Sequence, residues 1–215
     1  IIAKEMASIS LLVGIAEPTS DVRLPKLFNS VVLVEHTGWK VIARKQLLPT
    51  YDVFDEKRYF RPSTKVGSLK IKTNGKEWGI GVTICEDLWV EDELQSQRVD
   101  GPDPVNKLIN KNLDLLLNLS ASPFSPNKES LRKKISRKAA ARLKCPVVYV
   151  NQVGGNDELI FDGASFVINQ EGEVLFSLPR CRESVQCWEP QSSPQIQIKP
   201  KREELIFEML VLGVR

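Results

Sequence analysis

Residues 81–90, GVTICEDLWV, run from an apolar, β-branched stretch straight into a cysteine, two acids and a tryptophan. Ile80, Val82 and Ile84 alternate with smaller residues, as in a strand, and Cys85 falls where that strand gives way to Glu86 and Asp87. Cysteine is among the most often buried residue types, so residue type alone favours a core thiol. Position argues the other way, because ligand chemistry in open α/β sheets gathers at the carboxyl ends of strands. A nucleophile there needs an activating group and a donor for the developing oxyanion.

Around this stretch the pattern predicts a mixed α/β chain. SLLVGIAE (10–17) reads as a buried strand, following opening residues that finish a helix. SVVLVEHTGWKVIARK (30–45) is two β-branched runs joined by HTG, a hairpin with Gly38 at the turn. EWGIGVTIC (77–85) is the strand that ends at the cysteine, PDPVNKLINKN (102–112) a short helix, and LDLLLNLS (113–120) an apolar strand. The clearest helix is 127–144, where Leu131, Ile135, Ala139 and Leu143 recur at helical spacing and Asn127 and Ser130 are the candidate caps. PVVYVNQ (146–152) follows as a buried strand, and 164–178 as a hairpin turning at Gly172. The segment 189–200, EPQSSPQIQIKP, has the composition of a linker, and a further helix starts at 201. Strands that alternate with helices in part and pair as hairpins in part predict a mixed sheet.

Composition sets outer limits. With 42% hydrophobic and 27% charged residues over 215 positions, the chain is ordinary for a soluble globular protein. Its net charge of +3 is too small to argue for nucleic acid. No aromatic residues interleave the basic run 128–144, so its lysines and arginines are expected to be solvated. No apolar run approaches the roughly 20 residues that span a bilayer, and the opening residues lack the basic region of a signal peptide. A cytoplasmic protein without membrane or nucleic-acid partners is the expectation. The four cysteines lack C-x2-C spacing, which argues against a metal site; Cys181 and Cys187 are near enough in sequence to pair, but reduced thiols are expected. VGGNDELIFDG (153–163) lacks the phosphate-loop pattern and reads as a turn.

Histidine-assisted catalysis finds little support. The single histidine, His36, sits at the predicted hairpin turn. If Cys85 is reactive, lysine and carboxylate must serve it. ARKQLLPTYDVFDEKRYF (43–60) supplies both, with Lys45, Tyr51, Phe54, Asp55, Glu56 and Arg58 in a stretch that is mostly loop. A lysine cation near a thiol lowers its pKa and stabilises an oxyanion.

RKQLLPTYDVFDEKRYF (44–60), GVTICEDLW (81–89), NLSASPFSPNKESLR (118–132) and VNQVGGNDELIFDGASF (150–166) resemble the glutaminase domain of glutamine-dependent NAD+ synthetases, a branch of the nitrilase, or carbon–nitrogen hydrolase, superfamily. The resemblance implies a four-layer α-β-β-α sandwich with mixed sheets, here without its first strands and helices. It implies that Cys85 is the nucleophile, Lys45 the catalytic lysine and Glu56 a second glutamate near the reacting centre. Tyr51, Phe54, Glu86, Ser122 and Lys128 match positions lining the glutamine pocket, although the family often has arginine where Lys128 stands. By the same resemblance, residues 1–188 are the hydrolase domain, 189–200 a linker, and 201–215 the start of a connector to an ATP-dependent synthetase domain. The implied partners are glutamine, and deamido-NAD+ at the synthetase domain, with a homo-oligomer as the assembly. No cofactor is implied for this chain, while ATP and Mg2+ belong to the synthetase domain. A stand-alone amidase for another small amide and a non-catalytic binding module are the alternative readings.

The family's general-base glutamate lies in an N-terminal Pro-Glu motif, upstream of where Ile1 falls, and neither Glu5 nor Glu17 has its context. Truncation at both ends is the expectation. The 215-residue chain alone is therefore expected to hydrolyse glutamine about 100- to 10,000-fold more slowly than an intact enzyme, the usual cost of losing a general base. Turnover near the intact rate, abolished by Cys85→Ala, would overturn this.

Overall fold

The computed structural model describes residue 4 and residues 9–51, 53–73, 75–90 and 101–214. They fall into two compact units, Ile1–Asp114 and Leu115–Arg215. The helix expected over the opening residues lies, Lys4 aside, outside the described residues.

In the first unit, β1 (Leu11–Pro18), β2 (Leu27–Glu35) and β3 (Gly38–Arg44) form an antiparallel sheet in that order. The β2–β3 hairpin is the predicted one, closing with Glu35 opposite Gly38, whose φ of 139° few other residues adopt. Ser30 to Leu33 are buried without interruption, as the central strand of a sheet covered on both faces requires. The expected burial of β1 is not found: none of its residues is fully buried, and Gly14, Ala16 and Pro18 are exposed. It is the outer strand among those described, where a proline without an N–H is tolerated.

After β3 come α1 (Glu56–Tyr59), β4 (Gly67–Thr73) and β5 (Lys76–Ile84), the last two an antiparallel hairpin. A 3-10 turn, Cys85–Leu88, follows directly, and a second, Asn106–Lys111, lies within the segment expected as a short helix. Asn110 interrupts that second turn with non-helical backbone, and Asn112 ends it in the left-handed region.

β3 lies against β4 and β5 at a distance only glycine permits. A Cβ added at Gly67 would stand 2.3 Å from the Ala43 Cβ and 2.8 Å from the Val82 carbonyl oxygen. β3 also carries an extra residue: Val31 pairs with Ala43 but Val32 with Val41, which leaves Ile42 as a bulge. Bulges re-aim the side chains beside them, and the next residues here are Ala43, Arg44 and Lys45.

In the second unit, β6 (Leu115–Ser120), the crossover helix α2 (Lys128–Leu143) and β7 (Val147–Asn151) make a βαβ unit in which β6 and β7 pair in parallel. The hairpin β8 (Val153–Asn156) and β9 (Leu159–Asp162) occupies the segment read as a turn. β10 (Phe166–Ile168) pairs with β7, and β11 (Val174–Ser177) with β10. Tyr149 and Phe166 stack across β7 and β10, with centroids 5.1 Å apart. The segment expected as a linker is tied to β11 by hydrogen bonds between Gln195 and both Leu175 and Ser177. α3 (Arg202–Val214) follows it, burying Leu205 and Met209.

The expectation that the basic residues of α2 are solvated fails at Arg132, which is 1% exposed. The helix buries Glu129, Arg132 and Ser136 beside Ile135, Ala139, Ala140 and Leu143, so its inner face is partly ionic. Arg180 contacts Glu129 at 2.6 Å, and Arg132 contacts Asp162 at 2.8 Å. Burial works against the Glu129 carboxylate, yet its bonds to Arg180 and Lys133 outweigh that and hold its pKa at about 2. The stability it contributes is complete above the ordinary glutamate value and is lost as pH falls through about 2.

Gly67→Ala is expected to destabilise the chain by about 1–3 kcal/mol, because the added methyl has no room between β3 and β5. Urea unfolding measures it, and an unchanged midpoint would contradict the close approach of β3 to β4.

Candidate active site

Cys85 is the first residue beyond β5 and has a φ of +47°, a left-handed conformation that L side chains rarely adopt. Such backbone costs about 1–3 kcal/mol and gathers at functional sites. The buried run Gly81 to Ile84 carries the chain to this point, and the 3-10 turn then reverses it at once. Cys85 itself is half-exposed and is not in a disulfide.

Lys45 arrives from the end of β3. Its N–H donates to the Asn29 carbonyl, continuing the β2–β3 ladder, and its carbonyl accepts from the Ser63 N–H. The residue is 1% exposed, and its ammonium donates to Glu56 Oε1 at 2.7 Å. Burial opposes the charged ammonium, but the charges of Cys85, Glu56 and Asp87 outweigh it, so the pKa of Lys45 lies above the ordinary lysine value. Lys45 therefore stays cationic beside the sulfur. Glu56 opens α1, its N–H held by the Pro49 carbonyl. Its Oε2 is buried and has no hydrogen-bond partner among the described residues.

Asp87, two residues past the cysteine, is fully enclosed. Its Oδ1 accepts the N–H groups of Gln46 and Leu47, both at 2.9 Å, and its Oδ2 that of Ile84 at 3.2 Å. Burial raises its pKa to about 6 in spite of those three donors. Tyr51 donates its hydroxyl to Glu86 in a short hydrogen bond, and its ring meets Phe54 edge-on with centroids 5.9 Å apart.

Of the eight residues singled out in the sequence, six come together in the first unit. Lys45, Glu56 and Cys85 form the charged centre, and Tyr51, Phe54 and Glu86 form an aromatic and acidic cluster. Ser122 and Lys128 belong to the second unit. Ser122 is buried there, and the arginine bound to it is Arg132, whose Nε donates to Ser122 Oγ at 3.1 Å. Lys128 is the first residue of α2. Glu17, rejected as a base, accepts from Arg44 and Ser30. His36 lies in the hairpin turn. The residue missed by the sequence reading is Asp87, whose only signal was its place in CEDLW. Among the described residues no cluster of metal-ligand side chains occurs, and no helix is long and apolar enough to cross a membrane.

Residues 3–192 match the carbon-nitrogen hydrolase family. The chain belongs to that family. It is 44% identical over 181 residues to a glutamine-dependent NAD(+) synthetase of Synechocystis sp., a match covering 83% of this chain and 32% of that protein. Its counterpart in Acinetobacter baylyi is 35% identical over 182 residues, covering 85% and 30%. The chain thus spans about a third of the length of these relatives. Among solved structures, the glutamine-dependent NAD+ synthetase of Acinetobacter baumannii, in complex with ADP, superposes with a TM-score of 0.80 at 31% identity, over 98% of this chain and 38% of that one. A carbon-nitrogen hydrolase from Helicobacter pylori shares the fold with a TM-score of 0.62 at 24% identity, over 80% and 58%. The fold class is the α/β, mixed-sheet class of the nitrilase-like sandwich, as the motifs imply.

Glu56→Ala is expected to destabilise the chain by about 1–3 kcal/mol, since it strips a buried ammonium of a carboxylate hydrogen-bonded to it at 2.7 Å. Glu56→Gln, which keeps an acceptor oxygen, should lose less. Denaturant unfolding of both variants gives the comparison, and equal stability of Glu56→Ala and the parent would contradict the pairing.

Proposed function

We propose that this chain is the glutamine-hydrolysing portion of a glutamine-dependent NAD+ synthetase. The observation that carries the reading is a cationic, water-excluded Lys45, paired at 2.7 Å to Glu56 and lying beside Cys85, which follows the buried end of β5. That arrangement supplies a nucleophile and a fixed positive charge for an oxyanion without histidine. The family and the relatives' names support the substrate.

Cys85 Sγ attacks the side-chain amide carbon of glutamine. The tetrahedral oxyanion is held by the Lys45 ammonium and the backbone N–H of Glu86, while Glu56 keeps Lys45 in place. The thiol proton passes to a carboxylate base and then to the amide nitrogen, which leaves as ammonia with formation of a thioester. Water adds to the thioester, and glutamate departs as the thiol reforms. By the resemblance, the base is the glutamate of the N-terminal Pro-Glu motif. Tyr51, Phe54 and Glu86 line the proposed glutamine pocket, and Ser122 and Lys128 are assigned to it by resemblance alone. The ammonia serves amidation of deamido-NAD+, with ATP and Mg2+, in a synthetase portion reached through residues 201–215. A cytoplasmic homo-oligomer is the proposed setting.

A test independent of turnover is covalent capture. An electrophile shaped like glutamine, with a diazoketone in place of the amide, is expected to add one equivalent to Cys85. Free glutamine should protect, Cys85→Ala should abolish the adduct, and intact-mass and peptide mass spectrometry read it. Capture by short aliphatic amide analogues in preference to the glutamine-like reagent would instead favour a stand-alone amidase. Absence of any Cys85 adduct would overturn the nucleophile assignment.

A further inference from the structure

The carboxylate of Asp87 joins the two chain segments that carry Lys45 and Cys85. Oδ1 takes the N–H groups of Gln46 and Leu47, the two residues after Lys45, and Oδ2 takes that of Ile84, the residue before Cys85. These partners lie 41, 40 and 3 residues away in sequence. The carboxylate is 3% exposed, and a buried donor left without its acceptor is expensive, so the backbone has no alternative arrangement of equal stability. Gln46 is pinned further by its Oε1, which accepts from Lys107 at 2.9 Å.

We infer that Asp87 is a positioning residue that fixes the backbone after Lys45 against the backbone before Cys85, and so sets the approach of the ammonium to the sulfur. The inference rests on the reading of Lys45 and Cys85 as chemical partners. Besides Asp87, the charged groups of this centre are Lys45 from the end of β3, Glu56 from α1 and Glu86 from the turn itself. Two effects of losing Asp87 oppose each other. A lost negative charge stabilises the Cys85 thiolate, whereas a Lys45 released from its place destabilises it. With its pKa raised to about 6, Asp87 is ionised where a thiol is titrated, so both effects operate there.

The experiment is the pH profile of Cys85 alkylation by iodoacetamide in the 215-residue chain. Peptide mass spectrometry separates Cys85 from Cys145, Cys181 and Cys187. Wild type is compared with Asp87→Ala, Asp87→Asn and, as the reference for an absent ammonium, Lys45→Met. Asp87→Ala is expected to raise the inflection by about one pH unit, in the direction of Lys45→Met. Asp87→Asn keeps an oxygen for Gln46 and Leu47 and should raise it less. An unchanged or lowered inflection in both Asp87 variants, beside a raised one in Lys45→Met, overturns the inference alone. A Lys45→Met profile identical to wild type overturns the partnership of Lys45 with Cys85, and this inference with it. Loss of cooperative thermal unfolding in both Asp87 variants would assign Asp87 a structural role and overturn the inference as well.

Discussion

An ammonium shut away from water must be surrounded by negative charge, and much of the first unit is arranged to satisfy that requirement for Lys45. The charge is brought there by α1 through Glu56 and by the turn after β5 through Asp87, with Cys85 adding its own once ionised. None of these elements lies near Lys45 in the chain except α1. The ladder bond from Lys45 to Asn29, the bulge at Ile42 and the glycine at position 67 are the backbone features that let β3 deliver the lysine so close to β5. The site is therefore a product of two sheets meeting, not of a loop closing on itself.

The second unit meets a similar requirement in another way. Its principal helix does not present a purely apolar face, because Glu129 and Arg132 point into the protein and are matched by Arg180 and Asp162. Pairs of this kind bring little net stability compared with apolar packing, but removing one partner is damaging. They tie α2 to residues further along the chain, Glu129 to Arg180 and Arg132 to Asp162.

Much of this was legible beforehand where a feature depends on neighbours in sequence. Gly38 and Gly172 mark hairpin turns, and alternation up to Ile84 locates the strand end that carries Cys85. Lys45 and Glu56 stood out because they belong to a loop rich in both aromatic and charged residues, and the resemblance supplied their roles. β4 was overlooked although Leu69 and Ile71 alternate with Ser68, Lys70 and Lys72, and an Asn-Gly pair follows; its weak apolar content hid the period. The inner face of α2 was misjudged because arginine is normally a surface residue, and only the positions of Asp162 and Ser122 in space explain Arg132. Asp87 was opaque for the same reason. Two of its three backbone partners lie some 40 residues distant and leave no mark on local composition.

The left-handed backbone at Cys85 sets two selective demands against each other at one position. Glycine would relax the conformation at little conformational penalty and would ease folding of the β5 elbow, yet it carries no sulfur. A lineage of this chain released from the proposed chemistry would gain stability by drifting to glycine there, whereas one still using it must tolerate the strained residue. The identity of residue 85 in natural variants is thus a record of whether the thiol has remained in use.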